Sequence, residues 1–168
     1  RLLKSNSLVR KMHACETMGA VSVICTDKTG TLTQNQMRVT EAFFSEEYLA
    51  NGFVSESLSL NSSANLDLSD AEKPKVIGNP TEGALLLWLK ERGIDYLKFR
   101  EQTEVIEKLP FTTENKYMAT VISSKALGKK VLLVKGAPEI ILQMCKSFDE
   151  CFSAEVVKET LAGFQKKA

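Results

Sequence analysis

The sequence has no surplus of either charge. Its 22 basic and 21 acidic side chains leave a formal net charge of +1 over 168 residues, whereas a nucleic-acid surface is normally carried by a strongly basic domain. It also lacks long apolar runs. The longest, Ala84–Leu89, falls far short of the roughly 18 residues that span a bilayer. Histidine occurs once, as His13, and Cys15, Cys25, Cys145 and Cys151 include no Cys-x-x-Cys pair. A Cys/His zinc set is therefore excluded. No secretory signal is visible, so the thiols are expected to be reduced, each a small buried hydrophobe or a bystander. No Gly-x-Gly-x-x-Gly occurs either. What is present, 43% hydrophobic residues, is enough to core one domain, or one domain and part of another.

The chain opens with Arg1, Lys4, Arg10, Lys11 and His13 and no acid, which fits either a segment near a membrane surface or a solvated helix face. Ala20–Thr26 is short, apolar and β-branched, the pattern of a strand buried on both faces in a parallel sheet. The loop after such a strand is where open α/β sheets bind ligands. Strand-like pattern returns over Met37–Phe44. Val54–Ala64 predicts a short helix, followed by a loop through Pro74. Asn79 is a good N-cap, Pro80 suits the first helical position, and Glu82 falls at the third. The resulting helix buries Ala84, Leu85, Leu87, Trp88 and Leu89 and ends at Gly93. A second short helix is predicted over Tyr96–Gln102. Three strands follow, Glu104–Leu109, Tyr117–Ser123 and Lys130–Val134, with Leu127-Gly128 in the last turn. Gly136–Glu139 starts a helix that runs to about Cys145. Ala154–Ala168 has helical spacing and stops without a cap, so the sequence reads as a piece of something larger. The expected architecture is an incomplete, parallel-type α/β start (residues 1–41) joined to an α+β module (42–168) with an antiparallel sheet and flanking helices.

The chemistry gathers at two places. Asp27-Lys28-Thr29-Gly30-Thr31-Leu32-Thr33 puts a carboxylate at the end of the predicted strand, then a cation, hydroxyls and a glycine turn, a set able to hold a phosphoryl group. An aspartate nucleophile would form an acyl phosphate, splitting one hard step into two. By composition alone the same residues make an ordinary turn. In the second half, Lys135-Gly136-Ala137-Pro138-Glu139 is a strand-to-helix turn, Glu82 is a helix-start acid, and Phe111 before a polar turn would otherwise be core. Gly78 to Gly83 has the glycine spacing of a phosphate-binding P-loop, but Ala84 stands where its lysine belongs, so a Walker site is rejected.

Asp27–Thr33 resembles, letter for letter, the phosphorylation motif DKTGTLT of the P-type ion-pumping ATPases. The resemblance extends over essentially the whole chain. It implies that Asp27 is transiently phosphorylated by ATP, with Lys28 and Thr29 beside it. Mg²⁺ would bridge the Asp27 carboxylate and the Thr29 main-chain carbonyl. Residues 1–41 would then begin a haloacid-dehalogenase-like phosphorylation domain, and 42–168 would be most of the nucleotide-binding domain. The KGAPE signature of that domain is Lys135–Glu139, where Gly136 is expected to admit a ligand close to the backbone. Phe111 resembles the aromatic on which the family stacks adenine, Lys116 a basic residue of the same pocket, and Glu82 an acid near the adenine amino group. Thr81 is a weaker candidate.

His13–Gly19, with Ser22–Cys25 and Asn35–Met37, is similar to the calcium-transporting branch, particularly its plasma-membrane type. Sodium/potassium and proton pumps share much of this region. The implied partners are ATP or ADP, Mg²⁺, a transported cation bound outside this chain, and the other cytosolic and membrane domains of a parent pump. That parent would lie in a membrane, with this segment on its cytoplasmic side. No DPPR, TGD or GDGxNDxxAL segment is present, so the isolated chain is expected to bind ATP weakly without turning it over. Two rival readings are a dehalogenase-fold phosphatase, disfavoured by Thr29 where that group carries an aspartate, and a nucleotide-binding module without catalysis.

Overall fold

A computed structural model describes residues 13, 17, 19–28, 31–33, 36–70, 74–148 and 152–167. The basic start up to Met12, Cys15, Cys151, Thr29 and Gly30 lie outside the described residues. The chain divides into two compact units, Arg1–Gln36 and Met37–Ala168.

In the first unit His13, Thr17 and Gly19 are helical, and the Thr17 hydroxyl donates to the His13 carbonyl at 3.1 Å. His13 faces solvent as expected. The strand predicted over Ala20–Thr26 does not form: the segment joins no ladder, and Val23 and Ile24 are 73% and 82% exposed. A strand apolar on both faces is stable only with neighbours at its edges and layers over both faces. No described residue of this unit supplies them. Cys25 on this segment is exposed, as is Cys145 in the second unit, so neither is a core residue.

The helices and strands described with full bounds lie in the second unit. Met37–Phe44 is irregular instead of a strand, and two short helices follow, α1 (Glu46–Ala50) and α2 (Phe53–Leu60). Helix α2 ends four residues before the predicted Ala64, and the loop expected through Pro74 contains a strand. β1 (Asn65–Asp67) pairs antiparallel with β2 (Lys75–Ile77). Helix α3 (Pro80–Glu91) starts as its sequence dictates: the Asn79 side chain accepts from the Thr81 and Glu82 amides and Pro80 occupies the first turn. Its buried side is Ala84, Leu86, Trp88 and Leu89, while Leu85 and Leu87 are only half-buried. Gly83 lets α3 lie directly on β2, since a Cβ there would meet Val76 Cγ1 at 2.1 Å. Helix α4 (Tyr96–Gln102) is capped by Asp95. The main sheet has order β3 (Val105–Leu109), β4 (Tyr117–Ser124), β5 (Lys129–Gly136), all antiparallel. α5 (Pro138–Met144) and α6 (Ala154–Lys167) follow.

Two apolar clusters hold this unit together. Ala64, Leu66, Leu86, Trp88, Leu89 and Tyr96 fill the space between the β1–β2 ribbon, α3 and α4. Leu60, Ile122 and Leu133 join α2 to the main sheet. Each fully buried Leu or Ile stabilises by about 1.5–3 kcal/mol. Polar groups run beside the second cluster: Thr120 donates to Asn61 at 2.9 Å, and Glu56, 1% exposed, accepts from the Thr103 and Ser124 hydroxyls and the Lys125 amide.

Candidate nucleotide site

Strand register decides which side chains meet. Lys135 on β5 faces Met118, and Gly136 faces Tyr117, at the end of β4 where Lys116 enters. Leu109, opposite Ala119, brings β3 to the same end and delivers Phe111 two residues later. Phe111, Lys116, Lys135 and Gly136 thus lie on or beside three consecutive strands at one end of the sheet. Glu82 reaches it from the first turn of α3, where its carboxylate Oε1 accepts from Lys135 Nζ at 2.7 Å.

Glu82 is 6% exposed, and a carboxylate so buried must be well supplied with donors. Its Oε2 accepts from the Ser62 hydroxyl at 3.1 Å, the Ser63 hydroxyl at 2.9 Å, the Ala64 amide at 2.9 Å and the Ser63 amide at 2.5 Å. Burial alone would raise this carboxyl, but the Lys135 and Ser63 hydrogen bonds outweigh it and hold it at about 2. Lys135 is pushed below the usual lysine range, chiefly by burial and against the pull of Glu82. Oε2 is crowded; among the described residues Oε1 has Lys135 as its partner and keeps accepting capacity.

The other side of the Ser62–Ala64 segment is held by cations. Arg100 Nε donates to the Ser59 carbonyl at 2.8 Å, Nη1 to Asn65 Oδ1 at 2.8 Å, and Nη2 to the Ala64 and Ser62 carbonyls at 2.9 and 3.4 Å. Lys108 Nζ donates to the Ser62 carbonyl at 3.0 Å. Burial pushes both groups below their ordinary values. The sequence gives little sign of these two residues, because a cation on a short helix or on a strand normally reads as solvated. The receiving carbonyls lie 36 to 46 residues away along the chain, which no local pattern reveals.

Backbone geometry at the sheet edge is tight. Lys116 has φ 58°, a left-handed conformation that is uncommon for a side chain of this kind. Its amide donates to the Thr112 carbonyl at 2.8 Å and its own carbonyl accepts from the Ala137 amide at 3.1 Å. Gly136 is needed by this crossing: a Cβ there would stand 2.4 Å from the Lys116 carbonyl oxygen. The glycine admits the protein's own backbone at this crossing. Phe111 is 55% exposed, so it is not the core residue that an isolated phenylalanine would suggest.

In the first unit Asp27 and Lys28 are exposed. Asp27 Oδ1 accepts the Lys28 amide at 2.7 Å, and the Leu32 amide donates to the Lys28 carbonyl at 3.0 Å. Thr29, the other residue expected there, lies outside the described residues.

Residues 51–158 match the family of the P-type ATPase cytoplasmic domain N. The chain belongs to the P-type ATPases. Among curated proteins of this family, it is 36% identical, over 99% of its length, to "Calcium-transporting ATPase PAT1" of Dictyostelium discoideum, covering 16% of that protein. It is 37% identical over 95% of its length to "Putative calcium-transporting ATPase 13, plasma membrane-type" of Arabidopsis thaliana, and 35% over 86% to "Calcium-transporting ATPase 1" of Lactococcus lactis, covering 17% of each. The chain therefore spans about a sixth of these P-type ATPases, and none of its described helices is long and apolar enough to cross a membrane.

Proposed function

We propose that this chain is the ATP-binding part, with the phosphorylation loop, of a P-type pump that moves Ca²⁺ across a membrane. The reading is supported above all by the placement of Phe111, Lys116 and Lys135 at one end of the sheet, where Glu82 pairs with Lys135. An exposed aromatic, two lysines and a carboxylate with a free lone pair are what a purine nucleotide needs. The ring stacks on Phe111, the phosphates meet the lysines, and Glu82 Oε1 accepts from an exocyclic amine. The names of the curated relatives favour Ca²⁺ over Na⁺/K⁺ or H⁺ as cargo.

Asp27 would be the nucleophile. Its carboxylate oxygen forms a bond to the γ-phosphorus of ATP as the bond from that phosphorus to the bridging oxygen breaks, and ADP leaves with the electron pair. Water later cleaves the acyl phosphate, releasing inorganic phosphate and returning the carboxylate. Asp27 is exposed and its Oδ1 accepts the Lys28 amide, a carboxylate suited to a hard cation. Mg²⁺, when bound there, would neutralise charge on the phosphoryl group.

The test is calorimetric titration of the 168-residue chain with ATP, repeated with Phe111→Ala and Lys135→Ala. Loss of base stacking, about 1–3 kcal/mol, predicts roughly 5- to 150-fold weaker binding for Phe111→Ala. Unchanged affinity in both variants would sink the nucleotide assignment. In the parent pump, Asp27→Asn should abolish hydroxylamine-sensitive phosphoenzyme, and phosphoenzyme that persists would remove Asp27 from its role.

A further inference from the structure

The segment from Ser59 to Leu66 is gripped in opposite senses on its two sides. Its amides point to acceptors: Ser63 and Ala64 donate to Glu82, and Leu66 donates to the Tyr96 hydroxyl at 3.0 Å. Its carbonyls point to cations: Ser59, Ser62 and Ala64 accept from Arg100, and Ser62 also from Lys108. Arg100 lies over the Tyr96 ring, with Cζ 4.8 Å from its centroid, so the guanidinium is held by both stacking and its fork of donors. One peptide, Ser62–Ser63, is held on both sides: the Ser62 carbonyl accepts from Arg100 and Lys108 while the Ser63 amide donates to Glu82 Oε2, and Arg100 also holds the Ala64 carbonyl next along the chain.

We propose that Arg100 is a positioning residue of the nucleotide site, acting through the 59–66 segment to fix Glu82, and thereby setting the preference for adenine over guanine nucleotides. The inference rests on the nucleotide reading above. Arg100 needs no contact with the ligand. With Oε2 anchored by four donors, only Oε1 is left to accept from a base. A carboxylate oxygen rewards the 6-amino group of adenine and repels the 6-carbonyl of guanine. If the segment loosens, the carboxylate turns, Oε1 leaves its place, and discrimination falls while stacking and phosphate contacts survive.

The experiment measures two things on the full chain: dissociation constants for ATP and GTP, and the Glu82 carboxyl titration followed by carbon NMR. Lys135 faces this carboxylate directly, and Arg100 and Lys108, which stand behind the segment, are the other cations that feel the Glu82 charge. Arg100→Ala is expected to reduce the ATP-over-GTP ratio by roughly tenfold, the equivalent of one well-placed hydrogen bond, with GTP affinity unchanged and the Glu82 midpoint moved upward. Arg100→Lys keeps the charge but loses the fork, and should fall between. Phe111→Ala should weaken both nucleotides alike and leave the Glu82 midpoint where it was. If Arg100→Ala does not fold, Arg100→Lys is judged on the same two readouts. An unchanged ratio with an unmoved Glu82 midpoint overturns the positioning role. Should the wild-type chain bind neither nucleotide, the nucleotide reading falls, and an unmoved midpoint in the Arg100 variants would still refute the link to Glu82.

Discussion

Glu82→Gln separates charge from shape at the centre of the site. Glutamine keeps an oxygen able to accept from the Ser63 and Ala64 amides, but it cannot form the 2.7 Å ion pair with Lys135. In the native protein the carboxyl sits at about 2 against an ordinary 4.5. Because the folded value lies below the unfolded one, this contribution is complete above about pH 4.5 and is lost as pH falls through about 2. At 1.36 kcal/mol per unit the difference amounts to about 3 kcal/mol. Water reaches the pair from the Lys135 side, whose side chain is 29% exposed, so screening reduces the expected figure to about 2 kcal/mol.

Urea unfolding of both proteins at several pH values measures this directly. Glu82→Gln should be less stable by about 2 kcal/mol at pH 7, by the same margin down to about pH 5, and by roughly half as much at pH 3. Other carboxylates titrate in both proteins and cancel in the difference. A gap that stays constant from neutral pH to pH 3 would refute the reasoning, because the loss would then come from shape and not from charge.

Three further substitutions probe the backbone that carries the site. Lys116→Gly removes a left-handed conformation costing roughly 1–2 kcal/mol, partly offset by the greater freedom of glycine when unfolded. A net gain of about 0.5–1 kcal/mol should appear as a melting temperature a few degrees higher, and a lower one would contradict the strain. Gly136→Ala forces a methyl to within 2.4 Å of the Lys116 carbonyl, so a loss of about 2–4 kcal/mol is expected from chemical unfolding. Loss under 1 kcal/mol would mean the crossing is loose. Asn79→Ala removes the acceptor of the Thr81 and Glu82 amides and should cost about 1 kcal/mol; no change would show that water replaces the cap.

Local chemistry made α3, α4 and the β4–β5 hairpin legible in the sequence. Asn79 and Pro80 start α3, and apolar strands on either side of Gly128 give the hairpin. Elements whose existence depends on distant partners were not legible. Ala20–Thr26 has strand composition and no ladder. Asn65–Asp67 and Lys75–Ile77, three residues each, are too short to show a period of two, yet they pair because Leu66 and Val76 pack against the α3 cluster. Met37–Phe44 has strand-like composition, but Val39 and Phe44 pack on that cluster as irregular chain. The early end of α2 has the same origin. Asn61, Ser62 and Ser63 are weak helix formers, and Glu82, about twenty positions later, offers the Ser63 and Ala64 amides a charged acceptor instead of helical carbonyls.

That competition also explains why the site is built from a loop. An α-helix through Ser62–Ala64 would turn its amides inward to carbonyls four residues back and leave Glu82 with a buried, poorly satisfied charge. Leaving the helix frees both sides of each peptide, so amides reach the carboxylate and carbonyls reach Arg100 and Lys108. A buried anion and two partly buried cations are thereby balanced without direct contact between Glu82 and either of the two. The direct partner, Lys135, is left on the side where Oε1 is available. On the nucleotide reading, Lys135 is then the one cation able to exchange Glu82 for a phosphate, because Arg100 and Lys108 are committed to the chain itself.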